Sequence, residues 1–411
     1  MSDIRDLFAV PEWLNETFFE RILRSFHENN KIFVNRVVFH NNQMDGEHYA
    51  SAIFRAKVFF NTSDSELEAN SINLFIKTMP TEEGFKLDLI KKTDAFNTEM
   101  KMYEKVLPKM EKLLLSIGDE TKIGPTLVYQ SYEEPNPVIV LIDEEPNGFR
   151  TYTKPLNYDE IQVVIERIAK FHATSVFMNS NGDNLTTFKN SLYEKMENFD
   201  YLEKLFTPTV RKAIDEVKNW DGCEEITEIL EKNYENFSDK IRKIFFNDQI
   251  YSVLTHSDFS FINMMFRNDG MESKDYLLID YQFCMWNSPV NDILFLLCTV
   301  SNDDVRENHR NEVIQKYFEI FRETLEKLNY KGPKISLLDL EMEMSRCALL
   351  EYMYFVSFVP FQYIDCSEIS IKELIEIHGL HAVSKMAWKN EDFKEKFLKM
   401  VNKFVEMGVF E

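Results

Sequence analysis

Glycine is scarce, at 11 of 411 residues, well under the usual share of about 7%. Functions that need several glycines in one loop are therefore hard to build, and neither G-x-S-x-G nor G-x-G-x-x-G occurs. Cysteine is sparse too. Cys223, Cys284, Cys298, Cys347 and Cys366 stand singly without C-x-x-C spacing, and an odd count fits reduced thiols better than a disulfide framework. Basic charge is in deficit, with 47 Lys and Arg against 69 Asp and Glu, a net charge of -22. A surface of that sign repels phosphate backbones and anionic lipid, so neither nucleic acid nor membrane is expected as a partner.

Long apolar runs are also missing. The best late stretch, Cys347 to Ile364, is interrupted by Glu351 and Pro360, which suits a core helix rather than a membrane span. The start, MSDIRDLFAVPEWL, places Asp3 and Asp6 where an export signal needs a basic flank. A cytoplasmic protein is the expectation, and the Asn-x-Ser/Thr matches at Asn15, Asn61, Asn184 and Asn236 then carry no meaning.

What is present is material for a large packed interior: 44% hydrophobic residues, 35 of them Phe. Residues 32–40, 50–60 and 71–79 are β-branched or aromatic runs parted by polar turns, which predicts an antiparallel meander. A covering helix is expected over 94–116, where Phe96, Met100, Tyr103 and Leu107 recur at helical spacing, with Pro108 as a kink or break. Pro125 to Tyr132 and Pro137 to Ile142 read as two more strands. From Asp143 to Pro155 the pattern loosens into a connector. Beyond it helices prevail, beginning with Tyr158 to Met178, except for short apolar pieces over 251–281. The chain thus reads as α+β in two lobes, 1–143 and 144–411.

Inside the 251–281 region lies THSDFSFINMMF, which sets His256, Asp258 and Asn263 as H-x-D-x-x-x-x-N, and Asp280 follows at the end of an apolar strand. Phosphoryl transfer from a nucleotide needs a carboxylate beside the incoming hydroxyl and oxygen ligands for magnesium. Asp258, Asn263 and Asp280 can supply both. The same chemistry asks for a cation on the phosphates, carried by a strand and held by a helical glutamate. Lys77 ends the strand LFIK, and Glu99 lies on the helix after it. An acidic average does not forbid this, because one lysine and a bound magnesium reverse the potential inside a cleft.

These residues and their order resemble the ecdysteroid kinase-like, or CHK kinase-like, family, which is similar to choline kinases and aminoglycoside phosphotransferases. The resemblance runs through GEHYASAIFR (Gly46 to Arg55), LFIK, FNTEMKMYEKVLPKM, VIVLID, AKFHA around His172, HSDFSFIN, IDYQ and SPVNDILFLL. It implies a bilobal protein-kinase-like fold, with a small N-terminal lobe of antiparallel sheet plus helix and a larger, mainly helical C-terminal lobe. ATP and Mg2+ would be the cofactors and the hydroxyl of a small molecule the acceptor: an ecdysteroid, a related sterol or a lipophilic xenobiotic. Residue by residue it implies Lys77 on the α- and β-phosphates with Glu99 as its ion-pair partner, and Asp258 at the acceptor proton. Asn263 and Asp280 would hold magnesium, Asp292 would brace the catalytic loop, and His256 would support it by hydrogen bonding. Gly46 and Ser51 fall in the loop expected to cover the phosphates, and Asp143 at the connector beside the adenine.

Two departures from that pattern stand out. Ser257 replaces the glycine of a usual His-Gly-Asp, and the phosphate loop has Gly46 alone. They motivate a second reading, a kinase-fold binding or regulatory protein with weak catalysis. The absence of D-F-G and A-P-E argues against a protein kinase. His378 and His381 with Glu376 have helical spacing but lack a third ligand, and they are read as packing or surface residues. His172 is expected to pack at the lobe interface, and the aromatic run 354–363 as core or acceptor-pocket lining. Oligomeric state is left open, with a monomer as the default.

Overall fold

The computed structural model describes residues 10–40, 52–63, 70–79, 85–133, 137–151, 154–189, 193, 200–247, 249–267, 275–363 and 387–411. Gly46, Ser51, Cys366, Glu376, His378 and His381 lie outside the described residues. The N-terminal sheet contains β1 (Phe33–Phe39), β2 (Ala52–Asn61), β3 (Asn70–Thr78), β4 (Leu127–Ser131) and β5 (Val138–Ile142). The order is β1-β2-β3-β5-β4, every pair antiparallel. The first three strands form the expected meander, and β5 inserts between β3 and β4.

Side chains alternate across this sheet. Leu74, Ile76, Val138 and Val140 face one side, where Phe18, Phe19, Ile22 and Leu23 of α1 (Glu16–Phe26) cover them. Asn15 starts α1 by accepting the Phe18 amide at 3.1 Å. On the opposite face Ile139 and Leu141 join Phe96, Met100 and Tyr103 in the main core. Lys77 shares the parity of that second face, between Ile53 and Ile139 of the neighbouring strands.

The expected helix over 94–116 begins earlier and is segmented: α2 (Phe85–Thr93), α3 (Ala95–Lys101) and α4 (Leu107–Ser116). Asp94 breaks α2 from α3 with φ +54°, and a wide turn over Met102–Val106 precedes α4. Pro108 then sits in the first turn of α4, where its missing N–H costs nothing.

The connector is more ordered than its composition suggests. After a tight turn at Glu145–Asn147 it forms β6 (Phe149–Thr151). The larger lobe follows with α5 (Tyr158–Met178), α6 (Thr207–Val217), α7 (Glu224–Tyr234), α8 (Phe237–Phe246) and the short strands β7 (Val253–Thr255), β8 (Met264–Arg267), β9 (Tyr276–Leu278) and β10 (Met285–Asn287). It ends with α9 (Val290–Thr299), α10 (Arg310–Lys327), α11 (Leu337–Arg346), α12 (Ala348–Phe358) and α13 (Glu391–Glu406). β6 pairs with β8 and β8 with β9, while β10 pairs with β7. Every residue of α9 is buried, which makes it the axis of this lobe. Among the described residues no helix is long and apolar enough to cross a membrane. The fold class is α+β, with a small N-terminal lobe of antiparallel sheet plus helices and a larger, mainly helical C-terminal lobe.

Candidate active site

Three residues far apart in the chain meet beside the inner face of the small sheet. The Lys77 Nζ lies 2.5 Å from Glu99 Oε2 on α3 and 2.6 Å from Asp280 Oδ1. Parity on β3 aims Lys77 inward, and α3 packs directly on the turn that follows Asp280. Asp280 adopts φ +65°, a left-handed turn at the end of β9. Its second oxygen accepts from the Gln282 amide at 3.1 Å.

Burial pulls the Lys77 pKa down, but the fields of Asp280 and Glu99 outweigh it and the net shift is upward. Glu99 is also raised, to about 7, by burial that the Lys77 charge only partly offsets. Both shifts in one pair make sense because a single ammonium serves two carboxylates. Lys77 keeps its proton, and Glu99 is the group that titrates.

Asp258 and Asn263 follow on the loop after β7. The Asn263 side-chain amide donates to the Asp258 backbone carbonyl at 3.0 Å, and the Asn263 backbone carbonyl accepts from the Ile279 amide at 3.1 Å. That second bond continues the β8–β9 ladder and brings Asn263 alongside Asp280. The Asp258 carboxyl is raised to about 7, first by burial and then by the charge of Asp280.

The loop is held from behind by Asp292 on α9. Its carboxylate, wholly buried, accepts the His256 amide at 2.7 Å, the Ser257 amide at 2.8 Å and the His172 Nε2 at 3.0 Å. His172 in turn contacts the Tyr317 hydroxyl at 2.8 Å. The expectation for His172 is corrected here: it lies inside the large lobe between α5, α9 and α10, bonded to the brace of the loop. His256 donates from Nε2 to the Ile279 carbonyl at 3.0 Å and packs 4.9 Å from both Phe259 and Tyr281. Burial lowers its pKa, so the ring stays neutral. Its Nδ1 has no hydrogen-bond partner among the described residues.

Ser257 has φ +66°, the conformation that glycine adopts without cost. The side chain is nevertheless accommodated. Its hydroxyl lies 2.8 Å from Thr255 Oγ1 and accepts from the Asn291 amide at 3.2 Å. Asp143 is buried just after β5, accepts the Glu145 amide at 3.1 Å and faces Arg55 at 3.9 Å. Burial raises its pKa against the pull of Arg55.

The chemistry of these donors can be tested against a metal nucleotide. When ionised, Asp258, Asp280 and Glu99 carry three negative charges against the single Lys77, an excess that a divalent cation balances. Among the described residues no three or more His, Cys, Asp or Glu gather into a metal cage. Magnesium suits such a site, since it binds through one or two carboxylates and completes its shell with phosphates and water. The residues fit the group.

Comparison with known proteins decides the family. Residues 45–330, more than half of the chain, match the ecdysteroid kinase-like family. The chain belongs to that family. Membership makes it a small-molecule, ATP-binding kinase. Among solved structures it is similar to the AMP complex of spectinomycin phosphotransferase, with 13% identity over 91% of this chain and 98% of that one, at a TM-score of 0.37. Another is amicoumacin kinase with AMP-PNP and Ca2+, at 10% identity, 87% and 89% coverage and a TM-score of 0.36. A third is an aminoglycoside phosphotransferase of Streptomyces rimosus with ADP and streptomycin, at 10% identity, 72% and 90% coverage and a TM-score of 0.31. Likeness at this level carries no weight for what this family member does. No curated protein matches it.

Sequence reasoning missed two groups near Asp258. The charge of Asp258 reaches the hydroxyls of Tyr193 and Tyr201, which belong to an aromatic cluster with Phe206 and Tyr354. Most of the 354–363 run is core, as Tyr354, Val356 and Val359 are buried. The Tyr354 hydroxyl nevertheless points behind the loop that follows β7 and donates to Asn291 at 2.6 Å. The only sequence signal for it was its place in that aromatic run.

Proposed function

We propose that the cleft lined by Lys77, Asp258, Asn263 and Asp280 transfers the γ-phosphate of Mg-ATP to a hydroxyl of an apolar small molecule, with an ecdysteroid, related sterol or lipophilic xenobiotic as the substrate class. The observation that carries this reading is the Lys77 ammonium held 2.5 Å from Glu99 and 2.6 Å from Asp280. A lysine so fixed presents its charge to phosphate oxygens without paying side-chain entropy when they arrive. Asn263 and Asp280 would hold magnesium, which when bound neutralises charge building on the phosphates. Asp258 orients the acceptor hydroxyl and takes its proton as the new P–O bond forms and the bond to ADP breaks. Asp292 keeps the loop in place through the His256 and Ser257 amides. Residues 1–143 serve the nucleotide, with Asp143 on the adenine side. Residues 144–411 serve the acceptor.

The apolar acceptor is proposed from the ecdysteroid kinase-like family; beside Asp258, Tyr201 is the partly exposed ring of an aromatic cluster whose other members, Tyr193, Phe206 and Tyr354, are buried. The hydrogen bonds of Ser257 hold its turn in place, which favours a working loop over a catalytically weak protein. The test is mass spectrometry of a metabolite extract, supplemented with ecdysone and plant sterols, after incubation with the protein and Mg-ATP. A gain of one phosphate on apolar alcohols is expected. Phosphate appearing only on cationic amino sugars or on protein would overturn the assigned substrate class.

A further inference from the structure

Behind the catalytic loop a file of buried polar side chains runs from the aromatic cluster to residue 257. Tyr193 Oη lies 3.1 Å from Tyr354 Oη, and Tyr354 donates to Asn291 Oδ1 at 2.6 Å. The Asn291 amide donates to Ser257 Oγ at 3.2 Å, Ser257 and Thr255 hydroxyls are 2.8 Å apart, and Thr255 donates to the Met285 carbonyl at 2.9 Å. All five side chains are buried, none more than 3% exposed. A hydroxyl has one proton to give. Thr255 gives its proton to a carbonyl that can only accept, so Ser257 must donate to Thr255. Tyr354 gives its proton to Asn291, so Tyr193 must donate to Tyr354. The file therefore has a single direction, from Tyr193 to the Met285 carbonyl, with every hydroxyl proton assigned.

This matters because Ser257 is strained. A side chain at φ +66° is disfavoured and persists where the surroundings over-determine it. Two restraints act on that residue from opposite sides: the Asp292 carboxylate on its amide and the file on its hydroxyl. Asp258 is the next residue, so the direction of its carboxylate follows from how residue 257 is fixed. Glycine would adopt the same turn at no cost and could make no bond to Asn291.

We propose that Ser257, Asn291 and Tyr354 are positioning residues that set Asp258 by tying residue 257 to the buried aromatic cluster of Tyr193, Phe206 and Tyr354. The inference rests on the phosphotransfer reading for its kinetic consequence and on the hydrogen bonds alone for its structural one.

The test uses full-length Ser257→Gly, Tyr354→Phe and the double variant, with ecdysone as the acceptor probe. Hydrogen exchange is followed in residues 253–263, with 310–327 on α10 as the internal reference. Both single variants should speed exchange of 253–263 about tenfold and leave the reference unchanged. Each should lower kcat by about ten- to a hundredfold with KM for ATP unchanged, and the double variant should be no worse than the poorer single one. Ser257→Gly relaxes the turn, so failure to fold is not expected of it. Unchanged exchange in both single variants, or losses that multiply in the double, would overturn the proposal. Faster exchange over the whole chain, with no kcat-specific loss, would show a merely structural role and overturn it equally. If the wild type turned over no apolar alcohol at all, the phosphotransfer reading would fall, and the exchange result would still decide whether the file holds the loop.

Discussion

Replacing Lys77 by Met keeps an unbranched side chain of similar length on β3 and deletes the charge. Glu99, only 2% exposed in its side chain, then loses its counterion. Breaking a buried pair from one side costs about 3–5 kcal/mol. Asp280, with 23% of its side chain exposed, is screened by water, so the lower end of that range applies. Over 411 residues the unfolding entropy is about 0.9 kcal/mol/K, which converts a loss of about 3 kcal/mol into about 3–4 °C of Tm. The loss depends on pH. The folded-state pKa of Glu99 is raised from 4.5 to about 7, so its contribution to stability is full below pH 4.5 and fades as pH rises through 7. Without Lys77 that pKa climbs further, and the fading continues into alkaline solution. The difference between variant and wild type must therefore widen from pH 6 to pH 8. Scanning fluorimetry at both pH values checks this, with Lys77→Met/Glu99→Gln as control, since a neutral amide needs no counterion and should recover most of the Tm. An equal loss at both pH values, with no recovery in the double variant, would refute the reasoning.

Three further outcomes follow from the same geometry. Asp292→Asn should destabilise by about 2–3 kcal/mol in denaturant titration, because one of the oxygens receiving the His256 and Ser257 amides and the His172 ring becomes a donor. Asp258 has a folded-state pKa of about 7 against 3.8, so it stabilises below pH 4 and this contribution is lost toward pH 7; urea unfolding at pH 5, 6 and 7 should show a shallower decline for Asp258→Asn than for wild type. Millimolar Mg-ATP should raise the Tm of the wild type, and Asp280→Asn should abolish that rise without lowering the Tm of the protein alone by more than a few degrees.

Much of the architecture is legible in local pattern. The three N-terminal strands announce themselves by β-branched and aromatic runs, and β3 carries its lysine at a readable strand end. The H-x-D-x-x-x-x-N spacing is readable because loop length between β7 and β8 is a chain property. The connector is less so, because β6 forms only through partners on β8, more than a hundred residues later. Helix α1 went unread, since the stripe of Phe18, Phe19, Ile22 and Leu23 takes its meaning from the sheet face it covers. His172 shows the same limit: its helix is plain from periodicity, while its contact with Asp292 depends on how α5 and α9 meet. Ser257 looks like a defect in one dimension, where a Cβ replaces a glycine, and becomes an anchored turn once Asn291 and Tyr354 stand behind it.

The central claim is that Asp258 is the group through which phosphate reaches an alcohol. It is tested most directly by following label from the γ-phosphate of ATP into ecdysone or a sterol, comparing wild type with Asp258→Asn. Labelled sterol from the wild type, and at least a hundredfold less from a variant whose Tm still rises with Mg-ATP, is the predicted result. Equal labelling by both proteins would contradict it.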